Sequence, residues 1–353
     1  MPESRLLCVG GLVAALMAGA PTTTESAVVA FSGGDFDGWQ TWNWDAITHL
    51  GFWSMPDADV VAQARKNSVR IFQDADLPDK EDWTDEKKRK DFAKKKAEQV
   101  SSNNLDGVFF DYEGNGLTTK QKEAYGYLAA NVTEALAPYN ATIFICVGGR
   151  PSYEFRDYPY DQLADASEFL FIMGYDMHFW DDYTCVLKGT CSPAEAPIKD
   201  IQLGVNEYTA KVDPDKLVLG LPWYGQRYED ILGVPVNYGQ IDYKDVLALM
   251  NEPGKVVEKK MDEDSLSWRI KCDGVCSLDT KKDHGNVVYF DDASTLASKY
   301  EIARKAKLHG VGMWKADDLP LPNATGDDPN KKEREAMWAA IAAWDNSSST
   351  MGR

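Results

Sequence analysis

The sequence predicts an α/β fold, a closed (β/α)8 TIM barrel with a small insertion between its seventh and eighth strands. Three observations predict it. Short β-branched and aromatic runs recur eight times, segments of helical composition separate them, and a polar, cysteine-bearing stretch too long for one crossover precedes the last run. Eight parallel strands with crossovers long enough for helices fit a closed barrel better than an open sheet.

In chain order the strands are expected at 28–32, 49–53, 69–73, 107–113, 142–148, 169–175, 217–224 and 310–316. Between them, 56–67, 87–103, 120–137 and 294–308 have helical periodicity. Residues 226–292 form the insertion, and no internal repeat is visible. At 353 residues the chain suits one elaborated domain, 27–345, with a Ser/Thr-rich frayed tail at 346–353.

Residues 1–26 have the pattern of a secretory signal peptide: Arg5 near the start, an apolar run from Leu6 to Met17, then Ala18-Gly19-Ala20. That run is short for a bilayer span and no later stretch is long enough, so no membrane segment is expected in the mature chain. Sequons at Asn131, Asn140, Asn323 and Asn346 fit a secreted glycoprotein bound for a lysosome or vacuole or for the exterior. Cys8 leaves with the signal. The close pairs Cys185/Cys191 and Cys272/Cys276 are disulfide candidates in an oxidising compartment, while Cys146, inside an apolar run, reads as a buried thiol. The spacing of Cys272 and Cys276 also raises zinc, but His49, His178, His284 and His309 supply no complementary ligand pair; no metal and no cofactor are expected.

Lys+Arg number 38 against 56 Asp+Glu, a formal charge of -18, which argues against nucleic acid and anionic membrane as partners. The basic run between Lys87 and Lys96 is interspersed with acids and reads as a solvated helix face.

The strand at 107–113 carries the strongest chemical signal. Side chains alternate along a strand, so Phe109, Asp111 and Glu113 share one face and Val108, Phe110 and Tyr112 the other. Gly114-Asn115-Gly116 ends the strand, placing Glu113 at the rim and Asp111 one layer deeper. Burying a carboxyl costs several kcal/mol unless it is paired, protonated or at work. An acid at a strand end can also be merely solvated or cap a helix. Its company decides: the sixth run closes with Met173-Gly174-Tyr175-Asp176, the seventh with Trp223-Tyr224, the eighth with Trp314. Catalytic groups of such barrels sit at the C-terminal strand ends, and aromatic faces beside carboxyls suit the C–H faces and hydroxyls of a sugar.

These motifs resemble glycoside hydrolase family 18, the chitinases and chitobiases. Asp106-Gly107 with Asp111 and Glu113 is similar to the family's strand-four signature, Met173-Gly174-Tyr175-Asp176 to its strand six, and Trp314 to its strand-eight tryptophan. Val218 to Gly225 and Tyr289-Phe290-Asp291-Asp292 also resemble family elements, as does Trp44 to His49. The resemblance implies a glycosidase acting on N-acetylglucosamine oligosaccharides or the chitobiose core of N-glycans by a substrate-assisted, retaining reaction. It implies Glu113 as general acid/base, Asp111 and Tyr175 on the substrate acetamide, and Asp176, Trp314, Met173, Tyr224 and Trp223 as substrate-binding residues of a monomer. One departure is visible: the family usually has a further Asp where this chain has Phe109, which leaves Asp111 without a lower partner on its own strand. A lectin of the same fold, binding such oligomers without cleaving them, is the alternative; retention of Glu113, Asp111 and Tyr175 argues for catalysis.

Overall fold

The computed structural model describes residues 26–151, 156–177, 192–231, 234–278, 284–322 and 328–344. The signal-like segment, Cys185, Cys191, His178, the sequons at 323 and 346 and the tail lie outside them. Eight parallel strands close a barrel: β1 (Ala27–Ser32), β2 (His49–Phe52), β3 (Arg70–Asp74), β4 (Gly107–Phe110), β5 (Thr142–Gly148), β6 (Leu170–Met173), β7 (Leu217–Pro222) and the last, β13 (Gly310–Trp314), which pairs β7 on one side and β1 on the other. The (β/α)8 barrel expected from the sequence is therefore present.

Its helices wrap the outside, and the two faces of each strand feed two apolar layers. The outer layer joins strands to helices. The inner one, a filled core, is built largely of phenyl rings: Phe31, Phe72, Phe109, Phe144, Phe169 and Phe171. Rings of that size need room across the barrel, and glycine provides it. A Cβ on Gly220 would stand 2.1 Å from the Phe171 ring, and one on Gly312 2.6 Å from the same ring. After α1 (Ala58–Lys66), helix α2 (Glu86–Asn103) starts at Asp85, whose carboxylate accepts from the Lys88 N–H; α3 (Thr119–Leu136) starts with a reciprocal Thr118/Gln121 capping box. The basic run lies on the exposed face of α2, its lysines paired i,i+4 with acids (Lys87–Asp91, Lys90–Glu86, Lys94–Glu98).

Several boundaries differ from expectation. The fourth strand ends at Phe110 rather than 113, because its register with β3 stops at Asp74↔Phe109 and with β5 at Phe110↔Ile145. The sixth ends at Met173, where Gly174 turns back to donate to the Ile172 carbonyl and Asp176 takes a left-handed φ of 52°. The seventh is broken at Trp223. From Tyr224 the chain leaves the barrel to form an antiparallel sheet of β8 (Tyr224–Ile231), β9 (Val234–Asp242), β10 (Val256–Asp262), β11 (Ser267–Cys272) and β12 (Val287–Phe290), in the order β10-β11-β12-β8-β9. Those strands were not legible because much of β10 and β9 is polar and exposed. Cys272 and Cys276 are disulfide-bonded at the end of β11, and Cys146 is a free, buried thiol of the inner layer.

A buried ion pair ties the inserted sheet to the barrel. Asp291, just after β12, meets Lys299 of the helix Ala293–Lys305 at 2.6 Å with both groups shielded from solvent, and Ser267 Oγ completes the network. Next to it, Asp292 caps that helix through the Ser294 and Thr295 amides and accepts from the Trp268 indole at 2.7 Å. Removing one partner of a buried pair strands the other charge, so Lys299→Met is expected to cost about 3 to 5 kcal/mol in urea unfolding, with the double variant Lys299→Met/Asp291→Leu recovering much of the loss. A Lys299→Met loss under about 1 kcal/mol would mean that the pair does not anchor the sheet.

Candidate active site

The C-terminal strand ends frame a cavity of about 280 Å³. Two of its acids, Asp111 and Glu113, stand on the segment that continues β4, and the third, Asp176, follows β6. Phe109 is buried in the inner layer; Asp111 stands above it; Glu113 reaches the rim with 56% of its side chain exposed. The opposite face holds that tip in place. Tyr112 packs edge-on to Trp83 at 4.7 Å and against Tyr125 at 5.7 Å, and the Tyr158 hydroxyl donates to the Tyr112 carbonyl at 3.0 Å and to that of Gly114. With Tyr112 fixed outward, its neighbours at 111 and 113 must face the cavity.

Asp111 is the electrostatic centre of the site. Its Oδ1 is buried and has no hydrogen-bond partner among the described residues. Burial above all, then the nearby charges of Glu113 and Asp74, push its carboxyl up to about 7, with Arg156 opposing. Arg156, from the loop after β5, meets Glu113 Oε2 at 3.2 Å; with Glu113 half in water this contact orients the carboxylate more than it stabilises it.

Tyr175 enters from the end of β6, and its phenol is pushed well up by burial, with the Cys146 thiol and Asp111 adding to it. It stands edge-on to Tyr224, 6.3 Å between rings, and the Tyr224 hydroxyl donates to Asp176 Oδ1 at 2.7 Å. The Asp176 amide in turn donates to Glu195 at 3.1 Å, which holds the left-handed turn that presents its carboxylate. The floor is aromatic. Trp314 lies edge-on to Trp53 at 5.1 Å and tilted on Phe31 at 5.8 Å, and Trp53 stands on Phe109 at 5.0 Å. Met173 and Cys146 complete the base.

Glu113, Asp111, Tyr175, Asp176, Trp314 and Met173 thus line one cavity, and Tyr224 braces it from behind. Trp223 does not reach it. It is fully buried on the outer side, 4.9 Å edge-on from Trp338 of the C-terminal helix, because the alternation that turns Tyr224 toward Asp176 turns Trp223 away. Sequence reasoning missed Phe31, Trp53, Gln240 and Arg156. Phe31 and Trp53 sat at the ends of predicted strands and could have been inspected; Gln240, from the inserted hairpin, and Arg156, from a loop, carry no local signal.

A larger cavity, about 610 Å³, opens at the other end of the barrel between His49, Arg70, Glu168 and His309. Its ionic groups satisfy one another: Arg70 Nη1 lies 2.6 Å from Glu168, and His49 lies 3.2 Å from it. That end of a barrel serves stability, and no buried polar atom there is unpartnered among the described residues, so size does not outweigh the chemistry at the strand tips. Among the described residues no group of three or more His, Cys, Asp or Glu is arranged to hold a metal ion, and no helix is long and apolar enough to cross a membrane.

Comparison with known proteins bears on the family and the fold. The family model "Glycosyl hydrolases family 18" matches residues 80–318. The human di-N-acetylchitobiase is 25% identical over 334 residues, covering 86% of this chain and 80% of that protein. Among solved structures, the Group IV chitinase of Ostrinia furnacalis superposes with a TM-score of 0.71 at 16% identity over 91% of this chain and 99% of its own, and a GH18 chitinase of Cycas revoluta in complex with (GlcNAc)4 with 0.69 at 17% over 90% and 99%.

The raised Asp111 carboxyl has a consequence for stability. Between its unfolded value of about 4 and its folded value of about 7 the native state binds the extra proton, so stability is lost as pH rises through that window. Asp111→Asn removes this dependence, and its melting temperature is expected to gain on the wild type from about pH 4 to about pH 8. A difference that stays constant with pH would show that Asp111 is not held protonated.

Proposed function

Because the chain belongs to glycosyl hydrolases family 18 and is a glycosidase of chitinase or chitobiase type, we propose that it hydrolyses β-1,4 bonds between N-acetylglucosamine residues, in chitooligosaccharides or in the chitobiose core of N-glycans. The observation that carries this reading is the buried Asp111 oxygen, unpartnered among the described residues, beside the exposed Glu113, both over an aromatic floor. A group that has lost its water and gained no partner is positioned to take one from a ligand.

In the reaction Glu113 protonates the glycosidic oxygen from the rim. The substrate's own 2-acetamido carbonyl oxygen attacks C1 as the leaving group departs, giving an oxazolinium ion, and Glu113 then takes a proton from the water that opens it with net retention. No enzyme nucleophile is needed. Asp111 accepts the acetamide N–H and, as charge develops on the ring, stabilises the cation. Tyr175, a phenol that burial keeps protonated, donates to the acetamide carbonyl oxygen. Asp176, steadied by Tyr224, braces the same end of the sugar, and Trp314 and Trp53 stack under its C–H face. Trp223 has no part in this, being turned toward the outer helices. The signal-like N terminus supports a secretory route to the exterior or to a lysosome or vacuole.

The test is hydrolysis of reducing-end-labelled tri- and tetra-N-acetylchitooligosaccharides followed by mass spectrometry across about pH 4 to 8. Cleavage is expected in the wild type, with Glu113→Gln losing at least about 100-fold in kcat, the scale of a general acid. The rate is expected to fall above about pH 7, where the Asp111/Glu113 pair loses its last proton, the one the glycosidic oxygen must receive. Binding of the oligomers with no cleavage at any pH would establish the lectin instead, a reading that Phe109 alone favours.

A further inference from the structure

Asp111 and Glu113 have carboxyl company from the neighbouring strand. Asp74 ends β3, directly opposite Phe109 in the register of β3 and β4. Phe72, two residues earlier, belongs to the inner layer, so Asp74 faces the same interior. Its charge reaches both Asp111 and the buried Cys146 thiol, two groups of the cavity base. Phe109, one layer beneath Asp111 on β4, can hold neither charge nor proton; the carboxyl at its level stands one strand over.

We propose that Asp74 is a positioning residue for this site: from the strand beside Phe109, its negative charge holds a proton in the Asp111/Glu113 pair. The inference rests on the glycosidase reading for its catalytic consequence, though not for the electrostatic coupling itself. The groups facing Asp111 are Glu113 on its own segment, Asp74 from β3, Cys146 from β5, Tyr175 after β6, Tyr125 from α3 and Arg156 from the loop after β5. Of these only Arg156 is cationic, and it contacts Glu113. Three carboxyls over a phenyl layer, with only Arg156 against Glu113 and Lys96 near Asp74 to offset them, do not all ionise together.

The order in which Asp74 and Asp111 ionise follows from their partners. Burial raises the Asp74 carboxyl too, and the Asp76 charge adds to this, but the Asp76 amide donates to Asp74 Oδ2 at 2.9 Å and the Ala75 amide and Lys96 of α2 also favour its charged form. Among the described residues Asp111 Oδ1 has no such donor. Asp74 therefore ionises before Asp111, and its charge then resists loss of the last proton from the pair. A like charge disfavours ionisation, so removing it moves that loss to lower pH.

The experiment compares wild type, Asp74→Asn and Asp74→Glu by two readouts. One is a carboxyl-carbon NMR titration of aspartate-labelled protein, with the Asp111 signal assigned by its loss in Asp111→Asn. The other is the pH profile of kcat/KM on tri-N-acetylchitotriose. Asp74→Asn is expected to move the Asp111 midpoint and the alkaline limb of the profile to lower pH together, and Asp74→Glu to restore both. An unmoved Asp111 midpoint overturns the proposal, as does an equal loss of activity at every pH with the limb in place, the mark of a merely structural role. Should Asp74→Asn fail to fold, Asp74→Ser, whose hydroxyl can still accept from the Asp76 amide, carries the same titration. If the wild type cleaves no oligomer, the glycosidase reading fails, and the Asp111 midpoint still decides the coupling.

Discussion

A carboxyl group standing over phenyl rings has lost most of its hydration, and at Asp111 none of the described residues replaces that water on Oδ1. Much else at this end of the barrel follows from the arrangement. The aromatic inner layer makes the environment poorly polarisable; the poor environment lets Glu113 and Asp74 act on Asp111 over distances at which water would screen them. A more conventional filling of aliphatic side chains would give equal burial. It would not provide the edge-on stack of Phe109, Trp53 and Trp314 that carries the aromatic surface from the core up to the cavity floor.

The unfavourable placement of Asp111 has to be enforced by its surroundings. The enforcement is on the other face of the same segment. Tyr112 is fixed between Trp83 and Tyr125, and Tyr158 holds the carbonyls of Tyr112 and Gly114 from the loop after β5. Because the β ladder has already ended at Phe110, these contacts stand in for strand pairing and keep the alternation running past the last ladder bond. Precision at the acids thus comes from rings that never touch the cavity.

The inserted sheet has a comparable logic. It leaves the barrel at Trp223, whose indole packs outward on Trp338 while the next residue turns inward to hold Asp176. It returns through Asp291 and Asp292, one neutralised by Lys299 and the other capping the following helix. Between these fixed points the sheet brings Gln240 to the cavity edge. A wall built on such an insertion can vary without disturbing the barrel, which is where differences in oligomer length preference would be written.

The eight barrel strands, their parallel arrangement and four of the outer helices could be read from the chain, because periodicity and glycine punctuation are local properties. So could the inward facing of Asp111 and Glu113, since alternation is local, and the grouping of Tyr175, Asp176 and Trp314 followed from the rule that strand ends converge. Trp223 shows where that reasoning stops. It sits beside Tyr224 and shares its chemistry, yet which of two neighbours faces the cavity depends on register across the barrel, a sum over strands distant in sequence. Arg156 and Gln240 reach the site from a loop and an insertion for the same reason. The partner missing beneath Asp111 on its own strand was visible as Phe109; the carboxyl at that level, Asp74, was not, because thirty-odd residues separate it from β4 and only closure of β3 against β4 brings them side by side.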